Sequence, residues 1–144
     1  MENKHFDLIV TGAGVLGSFH AYHAARKGLK VLLLENDSQP TEATVRKFGM
    51  VIPSGMSQGK WQEYGWRSTE IYEEIQSKFD ISVRKNGAVY IASDSTEMTL
   101  LEELATIKEK RGYGSVITGK EACMEKYPGL RASYCVGGLF FPKE

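Results

Sequence analysis

Apolar positions fall into short continuous runs near the start of this chain and into helical spacing further on. His5 to Thr11 (HFDLIVT) and Lys30 to Glu35 (KVLLLE) read as strands buried on both faces. Between them Val15 to Lys27 carries small residues on one side and is closed by Gly28, the pattern of a helix with a glycine C-cap. Two such strands joined by a crossover helix predict a parallel, right-handed βαβ unit. Asn36 to Val45 is polar and aperiodic, and Lys47 to Pro53 turns apolar again around Gly49. Trp61, Tyr64, Ile71, Tyr72, Ile75 and Phe79 then recur at helical spacing, predicting an amphipathic helix over 58–79 whose aromatic stripe packs in a core.

The rhythm changes at residue 81. Ile81 to Arg84 and Ala88 to Ala92 flank Lys85-Asn86-Gly87, which predicts a hairpin. Asp94 with Glu97 forms a capping box for a helix reaching Arg111 and stopped by Gly112. Thr118 with Glu121 repeats the device before a short helix ended by Pro128-Gly129, and Gly137 to Phe141 (GGLFF) is a last strand. No internal repeat or low-complexity segment breaks this order.

Composition narrows the function classes. With 42% hydrophobic and 25% charged residues the chain is in the globular range. Its 18 basic and 18 acidic residues are mixed along the whole length, so no basic stripe draws nucleic acid or an anionic membrane surface. The apolar runs stop far short of the roughly 18 residues of a spanning helix, and Met1 to Asp7 lacks a leader's basic-then-apolar layout. Cys123 and Cys135 are too few and too far apart for a disulfide framework or a zinc site, so both are expected as free, buried thiols in a reducing cytoplasm. His20 and His23 lie three apart with no third ligand spaced to join them, so no metal site is expected. The cations of Lys108 to Arg111 suit the C-terminal end of a helix dipole.

The candidate chemistry lies between the first strand and helix. Gly12-Ala13-Gly14-Val15-Leu16-Gly17 is a G-x-G-x-x-G, and Glu35 ends the next strand. Gly12 permits a tight turn, Gly14 lets backbone approach a pyrophosphate, and Gly17 brings helix and strand close. The N–H groups of Val15 and Leu16 open the helix, where a partial positive charge faces the phosphates. The Glu35 carboxylate suits the two hydroxyls of an adenosine ribose and would repel a 2′-phosphate. This fingerprint serves FAD and NAD alike. After Glu35, however, the helix–strand alternation stops, and the Thr44 to Met50 loop (TVRKFGM) is placed to run along a flavin. Arg46 reads equally as a phosphate contact or as a solvated loop charge.

Phe6 to Gly17, Glu35 and the Ala43 to Met50 loop resemble the N-terminal part of the D-amino-acid oxidase and glycine oxidase family of FAD-dependent enzymes. Ala43, Thr44 and Gly49 fit that family's loop; Lys47 and Phe48 depart from it, standing where Asn and Ala are common. Arg46 to Pro53 (RKFGMVIP) looks more like a branch associated with phosphonate catabolism. Asn86 to Tyr90 resembles the strand pair that opens the family's substrate domain, and Tyr127 to Leu130 followed by Gly137 to Pro142 resembles the segment just before the family's chain re-enters the flavin domain. The resemblance implies an α/β fold: a Rossmann-like FAD-binding βαβ unit in residues 1–80, then the beginning of a mixed α+β substrate domain in 81–144. It implies FAD held by Gly12, Gly14, Val15, Leu16, Gly17, Glu35, Thr44, Phe48, Gly49 and Met50, and oxidation of a small amine or amino acid by hydride transfer to the flavin. Family members are more than twice this length, so a C-terminal half or a homo-oligomer is the expected partner, and no catalytic residue can be carried over. Two other readings remain open: a truncated, non-catalytic nucleotide-binding module, and an NAD-dependent dehydrogenase domain, which the broken alternation after Glu35 disfavours.

Overall fold

The computed structural model describes residues 5–144; the first part of the leader reading, residues 1–4, lies outside them. The chain divides into two compact units, Met1–Met50 and Val51–Glu144.

In the first unit, β1 (Leu8–Thr11), α1 (Val15–Arg26) and β2 (Val31–Leu34) form the expected βαβ arrangement. The strands pair in parallel from Leu8 opposite Val31 to Thr11 opposite Leu34. Asp7 starts the ladder: its N–H donates to the Lys30 carbonyl at 2.8 Å while its carboxylate accepts the Lys30 N–H at 2.7 Å. α1 ends at Gly28, whose φ of 84° is cheap only without a Cβ. The expectation that both strands are buried on both faces is corrected. α1 lies on the Val10 face, whereas Ile9 and Leu34 on the opposite face are exposed, Ile9 to 58%; Leu33, opposite Val10 on the helix side, is exposed too, so α1 covers its own face only in part. One helix can cover one face of a two-stranded sheet, so the other face of this unit presents its apolar side chains.

The second unit opens with a 3-10 turn (Pro53–Gly55) and α2 (Lys60–Gln76). β3 (Ala88–Ala92), α3 (Ser95–Glu109), β4 (Val116–Gly119), α4 (Lys120–Lys126) and β5 (Gly137–Phe141) follow. The three strands form an antiparallel sheet in the order β3-β5-β4, with Tyr90 and Ile117 both opposite Leu139. A Cβ on Gly137 would meet the Met98 sulfur of α3, and one on its neighbour Gly138 would meet the Cys123 sulfur of α4. Adjacent strand residues point to opposite faces, so α3 and α4 sandwich β5. Phe141 packs edge-on against Tyr90 and Tyr113, and Trp66 leans on Tyr113 at 4.9 Å between ring centres.

Three sequence expectations fail here for identifiable reasons. The hairpin does not form, because Ile81 to Arg84 is not a strand. The Gln76 side-chain oxygen accepts the N–H groups of Ile81 and Val83, folding that segment back on the end of α2. Gly87 does take the positive φ (78°) that Asn-Gly signals, but β3 pairs with β5 and the Gly87 N–H donates to the Glu144 carbonyl at 2.8 Å. Thr118 caps no helix: it lies in β4, part of the β-branched run Val116-Ile117-Thr118, and Gly119 is the N-cap of α4. The aromatic stripe of α2 is only partly core, with Trp61 66% exposed and Tyr64 and Phe79 also exposed. The inward face instead runs through buried Gly65, against Pro53, and Trp66.

The Asp94 cap is present, its carboxylate accepting the Glu97 N–H at 2.9 Å. Glu97 reaches back one residue further than in the usual box, accepting both the N–H and the hydroxyl of Ser93.

Candidate functional site

The glycine loop of the first unit is built by backbone constraints that only its own residues satisfy. Gly12 holds φ at 94° and ends the ladder, its N–H donating to the Leu34 carbonyl at 2.7 Å. Gly14 is the N-cap of α1, and a Cβ there would stand 3.1 Å from the Thr44 hydroxyl. A Cβ on Gly17 would overlap the Gly12 carbonyl oxygen, so α1 lies on the loop at a distance no side chain permits. The Ser18 hydroxyl ties the turn to the helix by donating to the Ala13 carbonyl at 2.8 Å.

The orphan donors at the start of α1 are only partly used. Val15 donates its N–H to the Thr44 hydroxyl at 2.9 Å. Among the described residues, no hydrogen bond engages the N–H groups of Gly14, Leu16 or Gly17. These free donors sit at the positive end of the helix, around a surface kept clear of side chains by glycine. That is the surface an anionic pyrophosphate fits.

Glu35 stands beside this loop. One carboxylate oxygen accepts the Ala13 N–H at 2.6 Å, and the other accepts the Asn36 N–H at 2.9 Å. The Ala13 N–H, then that of Asp37, holds the carboxyl below its usual range although the side chain is exposed. Spare lone pairs remain for the hydroxyls of a ribose. Because the folded pKa is depressed, the contribution of these bonds to stability is present above the ordinary value of 4.5 and lost as pH falls through the folded value. An NMR titration should therefore show the Ala13 amide shift moving with a midpoint below 4.5, and a midpoint at or above 4.5 would contradict the assigned contact.

The structure thus gathers Gly12, Gly14, Val15, Leu16, Gly17, Glu35 and Thr44 at one end of β1 and β2. Phe48, Gly49 and Met50 are not tied to them by any hydrogen bond among the described residues, and Phe48 is 92% exposed. Gly49 has φ at 65°. Arg46 spends its Nε on the Thr41 carbonyl at 3.1 Å and its backbone N–H on that of Ala43, so it closes its own loop. His20 hydrogen-bonds the Leu16 carbonyl within α1, and His23 packs with Phe19 and Tyr22. The sequence reading missed the role of the Ala13 N–H and the use of Thr44 as a remote acceptor for α1. No local pattern marks a cap supplied from 29 residues away.

A βαβ unit with this glycine cradle, a free helix N-terminus and a carboxylate closing β2 can hold the adenosine-diphosphate half of a dinucleotide. The sequence profile of the family "DAO: FAD dependent oxidoreductase" matches residues 7–144. The chain belongs to this family. FAD is the cofactor its members use. Among solved structures, glycine oxidase from Bacillus cereus superposes with a TM-score of 0.83 at 26% identity, covering 96% of this chain and 39% of that one. A probable sarcosine oxidase from Arabidopsis thaliana is 27% identical over 129 residues, 89% of this chain and 31% of its own length. Monomeric sarcosine oxidase from Bacillus sp. is 24% identical over 143 residues, 97% of this chain and 36% of its own. The chain therefore spans between about three tenths and two fifths of these relatives. No helix among the described residues is long and apolar enough to cross a membrane.

Proposed function

We propose that this chain is the N-terminal portion of an FAD-dependent oxidase of small amines or amino acids. Residues 1–80 would contribute to the flavin domain and 81–144 open the substrate domain. That functional division differs from the division by packing at residue 50, because α2 lays Gly65 on Pro53 and Trp66 on Tyr113. The observation that carries the reading is the set of free N–H groups on Gly14, Leu16 and Gly17 beside the Glu35 carboxylate.

In this reading the free N–H groups of Gly14, Leu16 and Gly17 hold the pyrophosphate, Gly12 and Val15 shape the turn and the helix start beside it with their own N–H groups already bonded, and Glu35 takes the ribose hydroxyls. Thr44 fixes the helix start by accepting the Val15 N–H. Phe48, Gly49 and Met50, on the exposed loop after it, form part of the wall along the flavin ring. The chemistry a bound flavin supplies is acceptance of a hydride from the carbon bearing the substrate nitrogen, the resulting imine being open to hydrolysis by water. The glycine and sarcosine oxidases it resembles support an amino acid as substrate, and the likeness of Arg46 to Pro53 to a phosphonate-associated branch adds aminophosphonates to the compounds to screen. Two buried, free cysteines support action in a reducing cytoplasm. The uncovered sheet face of the first unit supports a partner polypeptide, either a C-terminal half or a second copy.

The test is an absorbance spectrum of the protein at its full natural length, recorded after FAD addition and removal of the excess. A retained yellow flavin band, lost in Gly14→Val, is expected. A full-length protein that stays colourless and leaves the fluorescence of added FAD unchanged would end the proposal.

A further inference from the structure

Cys123 and Cys135 are 12 residues apart in sequence, yet they meet inside the second unit. Cys123 lies on α4 and Cys135 two residues before β5, and both are fully buried. The Cys123 sulfur sits over Gly138, where a Cβ would stand 3.4 Å away, so the glycine makes room for it. Each thiol points a weak S–H contact at a backbone carbonyl at 3.9 Å, Cys123 at Thr118, which pairs with Gly138, and Cys135 at Gly137, so both sulfurs lie against the start of β5.

α4 is seven residues long, its N-cap Gly119 offers no side-chain bond, and Pro128 follows just beyond its end. Short helices of this kind open locally at little cost. Burial, and then the neighbouring Cys135 thiol, push the Cys123 thiol above its usual range, so it stays protonated and unreactive while the helix is closed.

We propose that Cys123 and Cys135 are a redox-closable pair, converted by a hydroperoxide into a disulfide that staples α4 to the central strand β5. One thiol attacks the peroxide, giving a sulfenic acid and one water. The second thiol displaces hydroxide from that sulfur, forming the S–S bond and a second water, so two thiols and one hydrogen peroxide give one disulfide and two waters. Closure brings the two sulfurs to the roughly 2.05 Å of a disulfide. It fixes the end of α4 and the Tyr127 to Leu130 segment, which lines a groove with Val89 and Ile91. The pair acts without bound flavin, so its test is separate from that of the cofactor reading.

Purified reduced protein is treated with hydrogen peroxide, alkylated in denaturant and digested with trypsin without reductant. The expected product is peptide Glu121–Lys126 joined to Ala132–Lys143, reverting to two free peptides with dithiothreitol. The oxidised protein should melt on the order of 5 °C higher. Recovery of both peptides alkylated, or of either carrying extra oxygen on its cysteine with no joined species, would overturn the proposal. Cys135→Ser, treated in the same way, should give no joined peptide.

Discussion

Gly17→Ala is expected to destabilise the first unit by about 4 kcal/mol, the scale of a backbone clash that cannot relax. Its methyl group would overlap the Gly12 carbonyl oxygen, and that oxygen belongs to the turn that also ends the β1–β2 ladder. The damage therefore spreads from α1 into the strands. Gly28→Ala is the matched control: it also strains the chain, at φ 84°, but its Cβ would meet nothing within 4 Å. That change should cost about 1–2 kcal/mol, the penalty of a left-handed residue with a side chain. Hydrogen exchange of the Leu8 to Val10 amides reads the difference within the unit concerned. Equal protection in the two variants would show that α1 does not depend on the close approach at Gly17.

The second large effect is expected at Lys108. Its side chain is 2% exposed, lies over the Tyr113 ring and donates to the Ser54 carbonyl at 3.0 Å. Ser54 and Tyr113 both donate to the Glu144 carboxylate, Ser54 through its N–H and its hydroxyl at 2.9 Å each. Lys108→Ala removes the cation, leaves a buried carbonyl without its donor and empties the space of the aliphatic stem. A loss of about 3 kcal/mol is expected from breaking such a buried polar cluster. Lys108→Met keeps most of the stem and should lose less.

The pH dependence separates charge from packing. Burial lowers the Lys108 pKa, with Glu144 opposing and Arg111 adding to the shift, so the folded state binds this proton less readily than the unfolded chain does. This group then adds stability as pH rises from its folded pKa towards the ordinary 10.5. The deficit of Lys108→Met relative to the wild type should widen over that window. Tyr113 acts in the opposite sense: burial, then Glu144, raise its pKa, so its contribution falls away above pH 10. Denaturant titrations followed by Trp66, which packs on Tyr113, report on this cluster directly. A Lys108→Met deficit constant across pH would show that the lysine acts by its stem alone.

The βαβ unit and its glycine loop were legible in the sequence because, the remote Thr44 acceptor aside, their determinants are local: a strand, a turn needing Gly12 and Gly14, a helix start and a glycine stop. The second unit was less so, because its pairings are distant. Nothing within Val116 to Gly119 says that its partner is β5, and nothing near Gln76 says that its amide will hold Ile81 and Val83. The Lys108 cluster joins residues 54 and 90 positions apart, and such contacts leave no periodic trace. Exposure of Ile9, Trp61 and Tyr64 was also unreadable, since an apolar residue carries no mark of whether anything covers it.

The position of β5 in the middle of its sheet also orders events in time. Among the described residues, β3 and β4 pair as strands only with β5, and not with each other, although both precede it in the chain. A nascent polypeptide emerging from the ribosome can wind α2 and α3 early, but its sheet must wait until Gly137 to Phe141 have been made. At synthesis rates of about 5–20 residues per second, β3 spends several seconds as an unpaired strand. A strand in that state is what holding chaperones recognise, and this unit's yield in a cell will depend on their supply as well as on its final stability.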